Sequence, residues 1–204
     1  MALGLMLALG PDSASAQSPT LLTYNVAEFS DTNRERIDRL IRLVTDLEPD
    51  IIHLQEAQRQ TLKQLKTNAL IRTQYTQFHE GPPQSLPIGG LVTLTKKALN
   101  AHRWAYATFP SDMARGMLSV QINLCQRPHD LVNLHLESPD LLFWRSQTFR
   151  ARQVGILEDW GKTHPALILA GDFNTFLDQD IDATLDRHWF DAWKLLHGND
   201  PGLT

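Results

Sequence analysis

The sequence predicts a single α/β domain with two β-sheets. At 204 residues, with 42% hydrophobic and 21% charged side chains, the chain can bury one sizeable core, and it contains no internal repeat or low-complexity linker. Strand-like and helix-like segments alternate from residue 20 onward. Two predicted strands, 117–124 and 131–137, alternate between apolar and polar positions, whereas the strands of one parallel sheet would be apolar on both faces. Two sheets therefore explain the pattern better than one.

The first 16 residues are predicted to be a signal peptide, which leaves residues 17–204 as the domain. The run from Ala2 to Gly10 is apolar but too short to span a bilayer, and Ala14-Ser-Ala16 fits the small-residue cleavage pattern. No basic residue precedes Arg34, so a buried N-terminal helix or strand is the alternative. We expect a periplasmic or secreted monomer with no membrane anchor after cleavage.

Charge and cysteine content narrow the possible classes of function. The formal net charge of −4 provides no general basic field, so a polyanionic substrate would have to be met by a local patch and a metal ion. The lone Cys125 excludes an internal disulfide framework and has no metal-ligand spacing.

The first half of the domain is predicted to begin as strand, helix, strand. Residues 20–26 are rich in β-forming side chains and end near Asn25. Apolar residues then recur at helical period over 37–47, and a second apolar strand over 50–56 ends in Glu56. This succession places polar groups where the strands end.

Periodicity and turn-forming residues also predict the elements from residue 61 onward. We predict a helix over 61–72, a loop over 80–87, strands over 91–95, 117–124 and 131–137, a helix over 146–160 capped by Gly161, and a strand leading into Asp172. In the strand over 131–137, His135 is predicted to lie on the polar face together with Asn133 and Glu137.

The most informative segment is the apolar run that ends in Gly171-Asp-Phe-Asn174. It predicts a buried strand, with Asp172 and Asn174 on one face and Phe173 turned into the core. A carboxylate and an amide side by side can bind a cation or orient a water. The alternative is a turn in which both side chains bond to local backbone.

Four predicted strands carry polar side chains, at their ends or on one face, that packing of the strands does not require. They are Asn25, Glu56, His135, and Asp172 with Asn174. Each has a structural alternative, because Asn often ends strands, Glu56 could be a solvated residue opening a helix, and a lone His on a strand is usually structural. Together, and in this order, they indicate a functional set rather than unrelated structural residues.

With these residues in this order, the sequence resembles the endonuclease/exonuclease/phosphatase family of metal-dependent phosphoesterases. The matching segments are Thr23-Tyr-Asn-Val26, Leu54-Gln-Glu56, Gly89-Gly-Leu-Val-Thr-Leu-Thr95, Arg115-Gly-Met-Leu-Ser-Val120, Asn133-Leu-His-Leu-Glu-Ser138, Arg152-Gln153 and Gly171-Asp-Phe-Asn174. The form of the His135 segment is most similar to tyrosyl-DNA phosphodiesterase-like and bacterial exported members. The resemblance implies a four-layer, deoxyribonuclease I-like fold, a two-sheet β-sandwich flanked by helices.

The resemblance also implies roles for the polar residues. Glu56 resembles the principal Mg²⁺ ligand, with Mn²⁺ as a possible substitute, and Asn25 the neighbour that helps to hold the metal site. Asp172 corresponds to the carboxylate that orients or deprotonates the attacking water. Asn174 corresponds to the amide that aligns the water and binds phosphate oxygen, and His135 to the histidine that stabilises the pentacovalent state.

Arg115 is a further candidate, for a supporting or phosphate-facing, substrate-binding role. The alternative is that Arg115 is a salt-bridged residue at the start of a strand.

The activity implied by the resemblance is Mg²⁺-dependent phosphodiester hydrolysis of a nuclease-like kind, with nucleic acid as the candidate substrate. Two other functions stay open: a non-catalytic binding module, and a phospholipid or sphingomyelin phosphodiesterase whose Leu141-Leu-Phe-Trp144 segment contacts lipid.

The sequence departs from the family pattern near its C-terminus. Family members continue to a Ser-Asp-His motif that contributes to the metal site and to catalysis, and that tripeptide occurs nowhere in these 204 residues. Asp186-Arg-His188 is interpreted as surface. We therefore expect a C-terminally incomplete, partial sequence with reduced or no activity and an unpaired sheet edge.

Overall fold

A computed structural model of the chain describes residues 6–8, 19–27, 33–79, 90–124, 126–139, 143–174 and 189–198. Its strands are β1 (Met6–Ala8), β2 (Thr20–Asn25), β3 (Ile51–Gln55), β4 (Tyr75–His79), β5 (Val92–Lys96), β6 (Arg103–Thr108), β7 (Gly116–Leu124), β8 (Arg127–His135) and β9 (Leu167–Asp172). Its helices are α1 (Asn33–Leu47), α2 (Arg59–Thr67), α3 (Ala69–Gln74), α4 (Phe143–Thr163) and α5 (Ala192–His197), with a 3₁₀ turn at Lys97–Leu99. None of these helices is long and apolar enough to cross a membrane.

The strands form two sheets, as predicted. One sheet has the order β1-β2-β3-β5-β4 and the other the order β6-β7-β8-β9. In the first sheet β2 and β3 are parallel, and in the second β8 and β9 are parallel, whereas the other neighbours are antiparallel. The carboxyl ends of each parallel pair therefore lie side by side at one edge.

Three apolar clusters hold the layers together. Helix α1 packs its buried stripe, including Ile37 and Leu40, against the outer face of the first sheet. The inner faces of the two sheets meet in a second cluster, to which Leu21 and Val120 belong. Helix α4 covers the outer face of the second sheet through Val154 and its neighbours. The result is the predicted four-layer sandwich.

Two predicted helices differ in detail. The helix expected over 61–72 is divided into α2 and α3, because Asn68 adopts an extended conformation and its side chain accepts a hydrogen bond from Ile71 N, as an N-cap does. Gly161 does not end its helix, which continues to Thr163. A Cβ on Gly161 would lie 2.8 Å from the Trp189 ring, so close packing explains this glycine better than capping does.

The burial of two strands also differs from expectation. β9 is only half-buried over most of its length, because among the described strands it pairs with β8 alone and forms the edge of its sheet. The polar face of β8, by contrast, is buried: Asn133 is 0% and His135 1% exposed. That face is directed toward the other sheet, so its polar groups lie inside the sandwich.

Residues near the N-terminus form part of the first sheet. β1 pairs antiparallel with β2, with Met6 opposite Leu22. Removal of residues 1–16 as a signal peptide would take away this edge strand, and the export hypothesis stays a prediction. The predictions for the 80–87 loop, for Cys125, for the side chains of 141–144 and for Asp186-Arg-His188 lie outside the described residues.

Candidate active site

The carboxyl ends of β2, β3, β8 and β9 meet at one end of the sandwich. Pairing places Asn25 beside Gln55 in the first sheet and His135 beside Asp172 in the second. Asn25 Nδ2 donates a hydrogen bond of 2.8 Å to Asp172 Oδ2, across 147 positions of sequence. The strand ends that the sequence marked as polar are thus one cluster.

Unusual backbone conformations concentrate at this cluster. Among the described residues, seven non-glycine residues have positive φ, and four of them stand where the chain leaves or approaches the site. They are Ala27 (46°), Glu56 (54°), Ala114 (56°) and Asn174 (50°). Side chains disfavour this left-handed region, and such strain is typical of functional sites.

Asp172 and Asn174 form the local turn that the sequence left open as the alternative, and this turn lies within the cluster. Asp172 Oδ1 accepts a 2.9 Å hydrogen bond from Asn174 N, which is the local turn, while its Oδ2 accepts from Asn25. Asn174 Nδ2 donates to Leu136 O at 2.9 Å. Phe173 packs against the apolar cluster under α4, as predicted. The turn thus fixes the carboxylate in the cluster.

His135 occupies the centre of the cluster. Its Nε2 lies 3.8 Å from Glu56 Oε1 and 3.6 Å from Asp172 Oδ2, distances too long for hydrogen bonds. This nitrogen is buried and has no hydrogen-bond partner among the described residues. Burial, reinforced by the nearby Arg115 and opposed by Asp172, lowers the pKa of His135 to about 3. The ring is therefore neutral at neutral pH, with an unused polar atom between two carboxylates.

Arg115 lies behind the histidine. It is 6% exposed, and its Nη1 donates to His135 Nδ1 at 2.8 Å. Burial lowers the pKa of Arg115, while Glu56, Glu137 and Asp172 act in the opposite direction. An arginine nevertheless stays charged at neutral pH. Arg115 thus contacts the candidate histidine, and its supporting or substrate-binding role stays a prediction.

Three residues within the quoted motifs had received no role. Gln55 Nε2 donates to Asn133 Oδ1 at 2.8 Å, and Asn133 Nδ2 donates to Leu54 O and Val92 O. These fully buried amides join the two sheets directly beneath the site. The third, Glu137, is 1% exposed and accepts from Ser111 Oγ. Their positions one or two residues from Glu56 and His135 were the available indication.

The donor set fits a divalent cation that keeps most of its water. Three carboxylates interact electrostatically with the single guanidinium of Arg115, so this region has an excess of negative charge. No group of three or more His, Cys, Asp or Glu in the described part of the chain forms a full ligand set. Mg²⁺ is usually held by one or two carboxylates plus waters and substrate phosphate, for which Glu56 is suitably placed. Asn25 Oδ1 already accepts from Ala27 N at 2.8 Å, so it has one lone pair left.

Comparison with sequence families gives one match. The profile described as Endonuclease/Exonuclease/phosphatase family matches residues 22–202. No curated protein sequence matches the chain significantly.

Solved structures with the same fold support that match. A complex of Danio rerio TDP2 with a single-strand DNA product is 20% identical with a TM-score of 0.72, over 87% of this chain and 69% of that one. The human nocturnin catalytic domain with bound sulfate is 18% identical with a TM-score of 0.66, over 85% and 70%. Sphingomyelinase C from Streptomyces griseocarneus is 20% identical with a TM-score of 0.64, over 81% and 68%. At these identities the likeness shows the fold alone.

Proposed function

Because the chain belongs to the endonuclease/exonuclease/phosphatase family, we propose that it hydrolyses phosphodiesters with the help of a bound divalent cation, Mg²⁺ or in its place Mn²⁺. One observation carries the proposal: the buried Nε2 of His135 has no hydrogen-bond partner in the described part of the chain and lies within 3.8 Å of two carboxylates. An unsatisfied buried polar atom is costly, and a phosphoryl oxygen would satisfy it.

Each residue has a distinct role in this proposal. Glu56 holds the cation, which supplies Lewis-acid activation of the phosphoryl group. His135 donates its Nε2 hydrogen to a phosphoryl oxygen, where negative charge grows in the transition state. Asn174 contacts phosphate and aligns the attacking water, and Asn25 keeps Asp172 in place through its 2.8 Å hydrogen bond.

Asp172 is the proposed base. Water attacks phosphorus, its proton passes to the Asp172 carboxylate, and the bond from phosphorus to the leaving oxygen breaks. The leaving oxygen takes a proton from solvent, so the products are a phosphomonoester and an alcohol. The Asp172 side chain is 27% exposed, so it remains accessible to the water it would activate.

Nucleic acid is the proposed substrate. The similar Danio rerio protein was solved with a single-strand DNA product, which supports a substrate of this class. A second candidate is a phospholipid or sphingomyelin, supported by the similar sphingomyelinase C. Both are phosphodiesters, so the same cluster would serve either, and a panel of single-stranded DNA, duplex DNA, RNA and sphingomyelin would distinguish them.

The activity is best tested on the purified chain with a chromogenic diaryl phosphodiester. We expect turnover that requires Mg²⁺, disappears in EDTA and returns with fresh metal. Asp172→Asn should reduce turnover by about 10²-fold or more, the usual contribution of a general base. Glu35→Gln, on the exposed side of α1, is the matched control and should leave turnover unchanged.

Two outcomes would contradict this assignment. Turnover that resists EDTA, or that survives Asp172→Asn undiminished, would exclude the proposed roles. Metal-dependent binding of an oligonucleotide without any turnover would favour the non-catalytic module.

We also propose that the protein is exported as a monomer after cleavage behind Ala16, since the apolar run and the Ala-x-Ala pattern support a signal peptide. Mass spectrometry of the protein from the periplasm or medium of a bacterial host tests this. A chain that begins at residue 17 is expected, and an intact N-terminus on a cytoplasmic product would contradict it.

A further inference from the structure

Glu137 is a buried carboxylate that has no role in the proposed hydrolysis. It is 1% exposed and follows His135 by two residues, on the same strand-like segment. Its side chain accepts hydrogen bonds from Ser111 Oγ and, at 3.3 Å, from Asp112 N. Both donors belong to the loop between β6 and β7. Glu137 therefore anchors that loop to the end of β8.

The backbone of Glu137 is fixed as firmly as its side chain. Its N donates to Gln153 Oε1 at 2.9 Å, and its carbonyl accepts from Arg150 Nη1 at 3.1 Å. Both partners are buried residues of α4, at 0% and 2% exposure. Gln153 also donates to Pro110 O at 2.9 Å, which ties the same loop to the helix. The anchor is rigid because three elements hold it.

The Ser111 hydroxyl links Glu137 to the backbone of Arg115. While donating to Glu137, Ser111 Oγ accepts hydrogen bonds from Met113 N at 2.8 Å and from Arg115 N at 3.2 Å. The loop closes on itself through Ala114, whose φ is 56°. The backbone of Arg115 is thus set by Ser111, and its guanidinium reaches His135 from behind.

The contact between Arg115 and His135 permits one arrangement of protons only. A guanidinium donates hydrogen bonds and cannot accept them, so at 2.8 Å the Nδ1 of His135 must be the acceptor. A hydrogen on Nδ1 would bring two donors face to face. The remaining hydrogen of the neutral ring is therefore on Nε2, the nitrogen that lies between Glu56 and Asp172.

We propose that Glu137, Ser111 and Arg115 form a positioning chain that holds His135 as the Nε2–H tautomer, so that the ring presents a donor to the phosphoryl group. Its catalytic meaning rests on the proposed function, but the tautomer itself does not. A purely structural ion pair is the competing explanation for Arg115. Among the described residues, however, no carboxylate lies within ion-pairing distance of the Arg115 guanidinium, whose only short polar contact besides the imidazole is Met113 Sδ at 3.7 Å.

The test is the tautomer of His135 in the metal-free chain, observed by long-range ¹H–¹⁵N correlation spectroscopy and assigned by comparison with His135→Gln. We expect a single species with Nδ1 unprotonated and Nε2 protonated. Arg115→Met, an apolar side chain of similar length, should give a mixture of tautomers, and Arg115→Lys should restore the single species because it keeps a donor. Exposed Arg103→Met is the matched control.

Two results would overturn the positioning chain. One is an Nδ1-protonated or doubly protonated ring in the unaltered chain. The other is an Arg115→Met variant that is still entirely Nε2–H. If Arg115→Met does not fold, Ser111→Ala is the substitute, with a partial mixture expected and an unchanged single tautomer as the contradicting result.

Kinetics add a second measurement that a structural role would not reproduce. Arg115→Met should lower kcat by about 10–100-fold with KM little changed, the range typical of groups that orient a catalytic residue. Failure of the proposed function would appear as no turnover in any variant while the tautomers behave as expected. Failure of the positioning chain alone would appear as normal turnover with the wrong tautomer.

Discussion

The two ends of the layer between the sheets differ sharply in chemistry although the same strands build both. Along β8 the side chains facing this layer change from Leu131 to Asn133 to His135, and along β9 they change from Ile168 to Ala170 to Asp172. One end is therefore hydrophobic packing and the other is the candidate active site. The residues that stabilise the fold and those of the candidate site are thus separated by about four residues of strand, roughly 13 Å.

The largest expected effect is at the polar end. Glu56→Gln should reduce phosphodiester turnover by about 10²–10⁴-fold, because it removes the proposed metal ligand and leaves an uncharged isostere. Gln keeps the volume of the side chain, and the 3.8 Å contact of Glu56 is with a neutral ring, so the free energy of unfolding should change by less than about 1 kcal/mol. Turnover assays and urea denaturation of the same preparation check both. A variant that loses stability in proportion to activity would remove the separation between the two ends.

The opposite pattern is expected at the apolar end. Leu131 is completely buried, and Leu131→Ala should lower the free energy of unfolding by about 2–5 kcal/mol through lost packing and a residual cavity. Turnover per folded molecule should stay within about twofold of the unaltered chain, since no contact with the cluster is removed. Urea denaturation with activity normalised to the folded fraction measures this. A large loss of normalised turnover would show that the ends are coupled.

His53, between the two ends, should make stability depend on pH. Its ring is fully buried, Nδ1 donates to Ala170 O at 3.2 Å, and burial lowers the pKa of His53 from 6.5 to about 4 despite that hydrogen bond. Between pH 4 and pH 6.5 the unfolded chain therefore binds a proton at His53 that the folded chain does not bind. The contribution of His53 to stability is complete above pH 6.5 and falls by about 3 kcal/mol as the pH drops toward 4.

Urea midpoints measured across that pH interval test the His53 effect. His53→Leu should make the decline about half as steep, because the buried His135, whose pKa is also lowered, contributes a decline of its own. His102→Gln, at an exposed position, should leave the decline unchanged. An equally steep decline in His53→Leu would assign the acid sensitivity to other groups.

The smallest effect is expected where the two ends meet. Asn133→Leu leaves Gln55 Nε2 without its 2.8 Å partner and frees two backbone carbonyls, so it should cost about 1–3 kcal/mol of stability. Turnover should fall about tenfold as well, because the amide pair fixes the distance between the strands of Glu56 and His135. Asn133→Asp is the comparison variant: it keeps the acceptor for Gln55 but sets a buried carboxylate oxygen against two carbonyl oxygens, so it should be less stable than Asn133→Leu.

Much of this arrangement was predictable from the sequence. Periodicity located most strands, and the polar residues that end them marked the cleft, because strand alternation is a local property. The break at Asn68 and the extension of α4 past Gly161 were missed, since capping and the packing of Trp189 decide them.

Other features depend on contacts distant in sequence. Burial of the polar face of β8 could not be predicted, because alternation shows which residues share a face but not what covers that face. The link of Arg115 to His135 spans 20 positions, and the anchoring of Ser111 by Glu137 spans 26. Such bonds become visible only when the sheets are assembled.

The divalent cation proposed at Glu56, at the polar end of the layer, is tested most directly by Mn²⁺ binding followed by electron paramagnetic resonance. We predict saturable binding to the unaltered chain, competition by Mg²⁺, and affinity lower by at least about tenfold in Glu56→Gln, with Glu35→Gln unchanged. Equal affinity in Glu56→Gln and the unaltered chain, or no binding to either, would contradict the proposal.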